Sequence, residues 1–469
     1  MVAAMPQPGA HRATPMRPEL IALVVAACQL GAAGTSPGLA QSAQWPPTPF
    51  IQVTGQSTPD PKDEPTTARG VHWDFSNHPR LVLSDETFID FRLKLQWDYR
   101  TFSPLPDDPA DDTEWSLRRV GVEGQVTRYV EFEASFEIDD PDEPWRAVYV
   151  NARPFAALQV QGGHFKVPFS RERLTGPTNL DFTQRAVGVR LIAPGYDTGL
   201  MVHGRVWNRR VRYAAGVFGG AADEIDSETD VPSLPGVRPL QTYDDQLWAW
   251  RVTLRPLDWK AVPAWLRRVE VGANAAYSHV DEGRYGWRGR AVFGQEFFPA
   301  VYVNGKRTRY GADAELEAGP VALRWEYLRG LDERLGQGVA DDDLPELDVG
   351  SWFVAGAVVV TGERKADVER PRRPLLRGGV GAIEAVARVE HLTIGSRETL
   401  GEPASYSPRS VNLAGNRDTI WTVGVNWYPD RLFKVQVDAI RERFEDRTRT
   451  LLGGQDTFWS YVVRVQFVL

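Results

Sequence analysis

Apolar and polar side chains alternate with a period of two over most of the chain. Between 88 and 100, Ile89, Phe91, Leu93, Leu95, Trp97 and Tyr99 share one face, while Asp90, Arg92, Lys94, Gln96, Asp98 and Arg100 share the other. This is the pattern of a strand with two unlike faces. It recurs at 130–139, where Val130, Phe132, Ala134, Phe136 and Ile138 oppose Glu131, Glu133, Ser135, Glu137 and Asp139. It recurs again at the C-terminus, where Trp459, Tyr461, Val463, Val465, Phe467 and Leu469 oppose Ser460, Arg464 and Gln466. Strands this long exceed those of most soluble sheets and suit the ~9–11 residues with which a tilted strand crosses a bilayer.

Such segments are expected at 88–100, 114–127, 130–139, 145–153, 156–168, 198–207, 210–218, 246–255, 268–280, 306–318, 320–329, 350–361, 379–392, 418–429, 432–443 and 457–469. Their connectors alternate between tight pairs, such as Arg128-Tyr129, Asn208-Arg209, Gly319-Pro320 and Pro429-Asp430, and long stretches at 101–113, 169–197, 219–245, 330–349, 393–417 and 444–456. Two longer connectors, 256–267 and 362–378, fall on the tight side. An even number of antiparallel strands with short turns at one end and long loops at the other predicts an all-β, closed transmembrane barrel. Closure is what lets strands live in lipid, because a sheet with no edge leaves no backbone N–H or C=O unpaired there. The last strand is expected to pair with the first, closing 86–469 into one domain, with Trp97, Tyr99, Trp207, Trp248, Trp250, Trp427 and Tyr428 meeting headgroups at the strand ends.

The N-terminus changes that pattern. Arg12 and Arg17 precede an apolar run at 20–27, and Gly38-Leu39-Ala40 supplies small residues for cleavage, so 1–40 reads as an export signal. Val25-Ala26-Ala27-Cys28 also resembles a bacterial lipobox, which would make Cys28 a lipidated N-terminus. Residues 41–85, rich in Pro, Thr, Ser and Gln, read as a flexible periplasmic leader, with 71–83 able to pack against the strands beyond it. Among 469 residues there are 16 Trp, 20 Phe, 14 Tyr, 42 Gly and one Cys. Cleavage after Ala40 leaves no cysteine, hence no disulfide or thiolate metal site. The net charge of −8 becomes −9 without the signal and gives no case for nucleic acid.

Four segments then carry a family resemblance. Gly163-His164-Phe165-Lys166-Val167-Pro168-Phe169-Ser170-Arg171-Glu172-Arg173-Leu174-Thr175, together with Leu180-Asp181-Phe182 and Arg185, resembles the hallmark of the phosphate-selective porins of the O and P type. Thr361-Gly362-Glu363-Arg364, Gly381-Ala382-Ile383-Glu384-Ala385-Val386-Ala387-Arg388 and Val425-Asn426-Trp427-Tyr428-Pro429 resemble three further blocks of that family in the same order, spanning about residues 69–469. The resemblance implies a sixteen-stranded, usually trimeric channel of the bacterial outer membrane. Its third outer loop would fold inward and narrow the pore, and basic side chains would draw anions along that path.

That loop would be 169–197. With its approach it carries Lys166, Arg171, Arg173, Arg185 and Arg190 against Glu172 and Asp181, a local balance of +3. Fixed positive charge in a narrow, protein-walled space compensates an anion's lost hydration, and arginine can hold two phosphate oxygens at once. Arg171, Glu172 and Arg173 could equally be solvated charges pairing with one another. Arg92, Lys94 and Arg388 are further pore-lining candidates. The inward positions also include Asp90, Asp98, Glu131, Glu133, Glu137, Glu270, Asp313, Glu315, Glu326, Glu384 and Glu390, a mixed interior that leaves a weakly selective or other-solute channel open. The expected partners are outer-membrane lipid and lipopolysaccharide, together with phosphate or another small anion and two further copies in a homotrimer; the acidic loop 107–112 reads as a solvated face, with calcium binding or a divalent bridge to lipopolysaccharide as its alternatives. No cofactor or metal is expected. No enzyme is expected either, since the histidines lack H-E-x-x-H spacing and neither a G-x-S-x-G elbow nor a P-loop occurs. A barrel hydrolase or a purely structural barrel would be the alternatives.

Overall fold

The computed structural model describes residues 70–75, 78–103, 113–138, 144–220, 246–397, 403–446 and 454–469. The segment 1–40 expected as an export signal, Cys28 within it, the expected leader as far as residue 69, the acidic loop 107–112 and residues 221–245 lie outside the described residues. Every expected strand is present. We number them β1 (Phe88–Ser103), β2 (Thr113–Thr127), β3 (Val130–Glu137), β4 (Trp145–Phe155), β5 (Leu158–Lys166), β6 (Tyr196–Val206), β7 (Val211–Phe218), β8 (Leu247–Leu254), β9 (Glu270–Tyr285), β10 (Tyr302–Ala318), β11 (Val321–Arg334), β12 (Leu344–Val359), β13 (Ala382–Ser396), β14 (Asn416–Tyr428), β15 (Phe433–Phe444) and β16 (Thr457–Val468).

Each strand pairs antiparallel with the next, and β16 returns to β1 through Trp459 opposite Ser103 down to Val468 opposite Lys94. The sheet is therefore a closed barrel, and Leu469 and the start of β1 lie together at its short-turn rim. Just below the point where Leu469 meets Leu93, a short strand at Arg80–Val82 takes over the same edge of β1 and pairs in turn with His72–Asp74. The segment 71–83 thus packs against the barrel as its charge-mixed sequence allowed.

The register keeps the two faces apart along the whole circumference. Asp98, Asp313, Glu384, Asn426, Gln436 and Asp438 point inward and are buried, whereas Val354, Val423, Val437 and Tyr461 point outward and are exposed. Several strands run further toward the loop end than the alternation suggested: β12 starts at Leu344 and β10 at Tyr302, because loop-end backbones continue the ladder where no lipid requires an apolar face. β5 stops early, at Lys166, since Pro168 has no N–H to donate to a ladder. Gly163, inside β5, sits at φ 130°, where a side chain would run into the carbonyl of Val148.

Two segments fold back into the lumen. The first, 167–195, carries the short helices α1 (Arg171–Leu174) and α2 (Val187–Ile192). The second, between β9 and β10, contains a small hairpin of Gly289–Arg290 with Glu296–Phe298. Trp287, Val292, Phe297, Phe298 and Val301 of that segment are buried together with Val187, Val189 and Ile192 in one apolar cluster. The main hydrophobic cluster of the barrel is thus largely a plug of two loops against the inner wall.

Candidate functional site

The inward loop 167–195 is sewn to the wall by side chains that only the folded barrel brings together. Ser170 turns the chain at φ 57° and caps α1, its Oγ accepting from the Arg173 amide at 3.1 Å. The free amides of Arg171 and Glu172 at the start of that helix donate to the Glu326 carboxylate of β11, each at 3.1 Å. Further along, Gln96 and Gln466 donate to the carbonyls of Pro177 and Thr178, and Thr183 donates through its amide and hydroxyl to Asp438 at 2.7 and 2.8 Å. The Val187 amide donates to Glu390 at 2.7 Å. The loop therefore touches β11, β1, β16, β15 and β13 in turn, crossing the lumen. Gly188 makes its last contact possible, since a Cβ there would collide with Ser351 of β12.

Arg171 departs from its expected role. Its Nη2 lies 2.6 Å from Glu270, its Nε 2.6 Å from Asp313 and its Nη1 2.7 Å from Glu315, and only 4% of the residue is exposed. Burial opposes its charge, but these three carboxylates outweigh burial and hold its pKa above the ordinary arginine value. Such a guanidinium has no capacity left for a passing anion; it is the bolt that fixes α1 to β9 and β10. Arg388 is likewise engaged, by Glu172 at 3.1 Å, Glu390 at 2.7 Å and the ring of Phe182. Arg92 pairs with Glu123 and His78. Arg190 donates to the Ala291 carbonyl at 3.2 Å and so joins α2 to the second inward segment.

Lys166 and Arg185 are different. Lys166 Nζ donates to the carbonyls of Arg173 at 2.8 Å and Thr175 at 3.1 Å, and Arg185 donates to those of Thr175 at 2.6 Å and Glu172. Carbonyl oxygens satisfy the N–H groups and leave the net charge in place. Around Lys166 stand Arg185, Arg173, Arg119 and Lys94, close enough to repel it. Of these Lys94 makes no hydrogen bond among the described residues, and it lines a small cavity with Arg92, Arg119, Glu123 and Glu133. Burial, and after it the like charge of Arg173, push Arg185 down to about 10, which still leaves it a cation at neutral pH.

The opposite side of the loop is held by the reverse arrangement. Asp181 at the loop's far turn accepts from Arg324 and from Lys365, each at 2.5 Å, and its carbonyl accepts from Asn426 at 2.8 Å. Burial raises the pKa of Asp181, but Arg324 and Lys365 more than reverse this and hold it below 3.8. A depressed carboxylate contributes stability that is complete above its unfolded pKa and lost as pH falls through its folded one. The contact of Asp181 with Arg324 and Lys365 should therefore persist through the pH range in which ordinary aspartates protonate. Asp181→Asn removes that contact at every pH, so its single-channel conductance should exceed that of the unmodified protein at pH 7 as well as at pH 4.

The sequence did not show the part played by Lys365 and Lys434, which meet the loop from a turn and from β15, because nothing in strand periodicity places them opposite Asp181. Nor did it show the second inward segment. Its signal was present in Trp287, Ala291-Val292-Phe293 and Phe297-Phe298, a stretch too apolar for a solvated outer loop. Among the described residues no helix is long and apolar enough to cross a membrane, and no group of acidic, histidine or cysteine side chains could hold a metal.

Comparison with known proteins places this geometry. OmpT (in-vitro folded), an outer membrane protein of Vibrio cholerae, superposes with a TM-score of 0.51 at 10% identity over 83% of this chain and 99% of that one. Its trimer form gives 0.51 at 10% identity over 82% of this chain and 100% of that one. An anion-selective porin from Comamonas acidovorans gives 0.48 at 10% identity over 82% and 100%. No curated protein is matched. The family model described as phosphate-selective porin O and P matches residues 89–247 and 291–469. With its sixteen strands closed on themselves and its third loop in the lumen, the chain belongs to the phosphate-selective porin O and P family, a β-barrel channel family of the bacterial outer membrane.

Proposed function

We propose that the protein lets small anions, inorganic phosphate or polyphosphate among them, diffuse passively along the side of the lumen that carries Lys94, Lys166, Arg173 and Arg185, with Arg119 beside them but paired to Glu137 at 2.8 Å. The observation that carries this is where Lys166 and Arg185 send their hydrogen bonds: to main-chain carbonyls, so that their charge remains uncancelled in a space walled by protein. Charge so placed acts at a lower effective dielectric than at the pore mouth. Arg171 and Arg388 serve the path indirectly by holding the loop, and the many wall pairs, such as Arg464 with Asp98 at 2.6 Å and Arg307 with Asp332 at 2.7 Å, cancel locally. Those pairs are also what a weakly selective channel would contain, and that is the second reading. The channel assembles as a homotrimer in outer-membrane lipid and lipopolysaccharide; one of the similar structures is of a trimer form.

Lys94→Glu tests the anion path without disturbing the loop, since Lys94 anchors nothing. Reversing one charge beside the path at an effective dielectric near 20 is worth ~1–2 kcal/mol, on the order of a tenfold change in the anion-to-cation permeability ratio. Block of chloride current by added phosphate should weaken in parallel. An unchanged ratio and unchanged block would favour the weakly selective channel.

A further inference from the structure

Turns at the periplasmic end of a barrel are short, yet the connector between β12 and β13 runs from 360 to 381. Its first half works inside the barrel. Lys365 reaches Asp181 and Glu384, each at 2.5 Å, and Val368 is buried with Val359, Ala382 and Tyr428. Its second half has no such task. Residues 369–380 hold Arg370, Arg372, Arg373 and Arg377 against one acid, Glu369, around the apolar pair Leu375-Leu376.

Two hydrogen bonds place that second half on the outer edge of the rim. The Leu375 amide donates to the Pro429 carbonyl at 2.8 Å, and Trp427 Nε1 donates to the Val380 carbonyl at 2.8 Å. Trp427 lies on the outward face of β14, in line with the exposed Val423 and Val425 that face lipid. A tryptophan at a strand end marks the headgroup level. Beside it Leu375, Leu376 and Val380 are 44%, 83% and 62% exposed, as is Val360 at the end of β12, at 61%. The lipid-facing wall thus continues, without a break, into an apolar tip below the last strand residues. The tip is also fixed in shape. Leu375–Arg377 form a single 3₁₀ turn, Gly378 and Gly381 each sit at φ 78°, and a Cβ on Gly379 would run into the Arg373 carbonyl. That carbonyl accepts from the Gly381 amide at 2.9 Å. A preshaped loop loses little freedom when it binds.

We infer that 372–380 is a docking site for an anionic phospholipid of the inner leaflet, with Leu375 and Leu376 entering the headgroup–acyl boundary and Arg373 and Arg377 holding the phosphodiester. Both arginines are exposed and form no ion pair among the described residues. Each guanidinium can offer two N–H groups to two phosphate oxygens, and an apolar tip flanked by such charge is the composition that lies in a membrane interface. The occupant is lipid because the patch extends the lipid-facing wall and carries the charge opposite to a phosphate.

The test uses the full-length protein with Cys28, its one cysteine, replaced by alanine, reconstituted in phosphatidylcholine vesicles and labelled at Val380→Cys with an environment-sensitive fluorophore. Quenching is read against the mole fraction of spin-labelled phosphatidylglycerol and, separately, of spin-labelled phosphatidylcholine. Beside an anionic headgroup each arginine contributes about a fivefold preference, so the anionic lipid should half-quench the reporter at a mole fraction on the order of tenfold below the neutral one. Arg373→Gln/Arg377→Gln should bring the two curves together, and concentrated salt should narrow the gap. A reporter at Val423→Cys, on the wall itself, should be quenched equally by both lipids, and heat modifiability checks that each variant is folded. Quenching of position 380 by aqueous iodide but by neither lipid would put the tip in the periplasm and overturn the site. Equal quenching by the two lipids, or a preference that survives the double substitution, would overturn the headgroup role. A preference abolished by inorganic phosphate at constant ionic strength would assign the arginines to the free ion and overturn the lipid assignment. The zero-current potential of the channel is independent of all these outcomes, so this site and the anion path fail separately.

Discussion

Replacing Arg171 with alanine should unfasten the inward loop and widen the channel. The guanidinium fills a space between Glu270, Asp313 and Glu315. Removing one partner of a buried ion pair ordinarily costs ~3–5 kcal/mol. Each carboxylate here keeps a second arginine from the wall: Glu270 has Arg212 and Arg255, Asp313 has Arg251, and Glu315 has Arg324. The alanine variant should therefore sit near the lower end, ~3 kcal/mol. Arg171→Glu adds a fourth carboxylate to the cluster and should cost more. The loss falls on the docked loop rather than on the barrel, whose own ladder is complete without it. Single-channel conductance should rise and its noise increase, while the thermal midpoint of the heat-modifiable gel band moves little. A variant with normal conductance would mean that Glu326, Arg388 and Lys166 hold α1 without Arg171.

The other large effect is expected on the outside. Val437 lies midway along β15, between Val425 and Val463, and is 49% exposed. Lysine at such a midplane position should destabilise the barrel by ~2–4 kcal/mol. Lysine replacing Thr422, which points into the lumen from β14, meets no lipid and should cost less. Urea-induced unfolding in lipid vesicles would measure both. Equal costs at the two positions would contradict the assigned faces.

Much of the architecture could be read from period-two alternation, because a strand in a barrel wall must send every second residue into lipid. The pattern in 88–100 or 457–469 leaves little choice of face, and closure comes from the need to remove the edge. What alternation cannot encode is who faces whom across the lumen. The basic run from Lys166 to Arg190 reads as one patch in sequence, yet the fold divides it. Arg171 goes to the acidic wall of β9 and β10, whereas Lys166 and Arg185 remain with Arg119 and Lys94. Separating the two fates needs Glu270, Asp313 and Glu315, which lie about a hundred residues or more downstream. Gln96 and Gln466 show the same limit: their inward face was evident, but their grip on Pro177 and Thr178 was not. The second inward segment was legible in principle from its buried aromatics and aliphatics, but a loop-length argument treats it as ordinary solvent-exposed chain.

Uncancelled positive charge beside the inward loop should set the direction of selectivity, in a protein whose overall charge is negative. The decisive quantity is the zero-current potential of the unmodified protein in a planar bilayer, measured across a tenfold gradient of potassium chloride at neutral pH. The predicted result is a potential of the sign set by chloride permeation, moving toward zero in Lys94→Glu. A potential of the sign set by potassium, unaffected by that substitution, would contradict it.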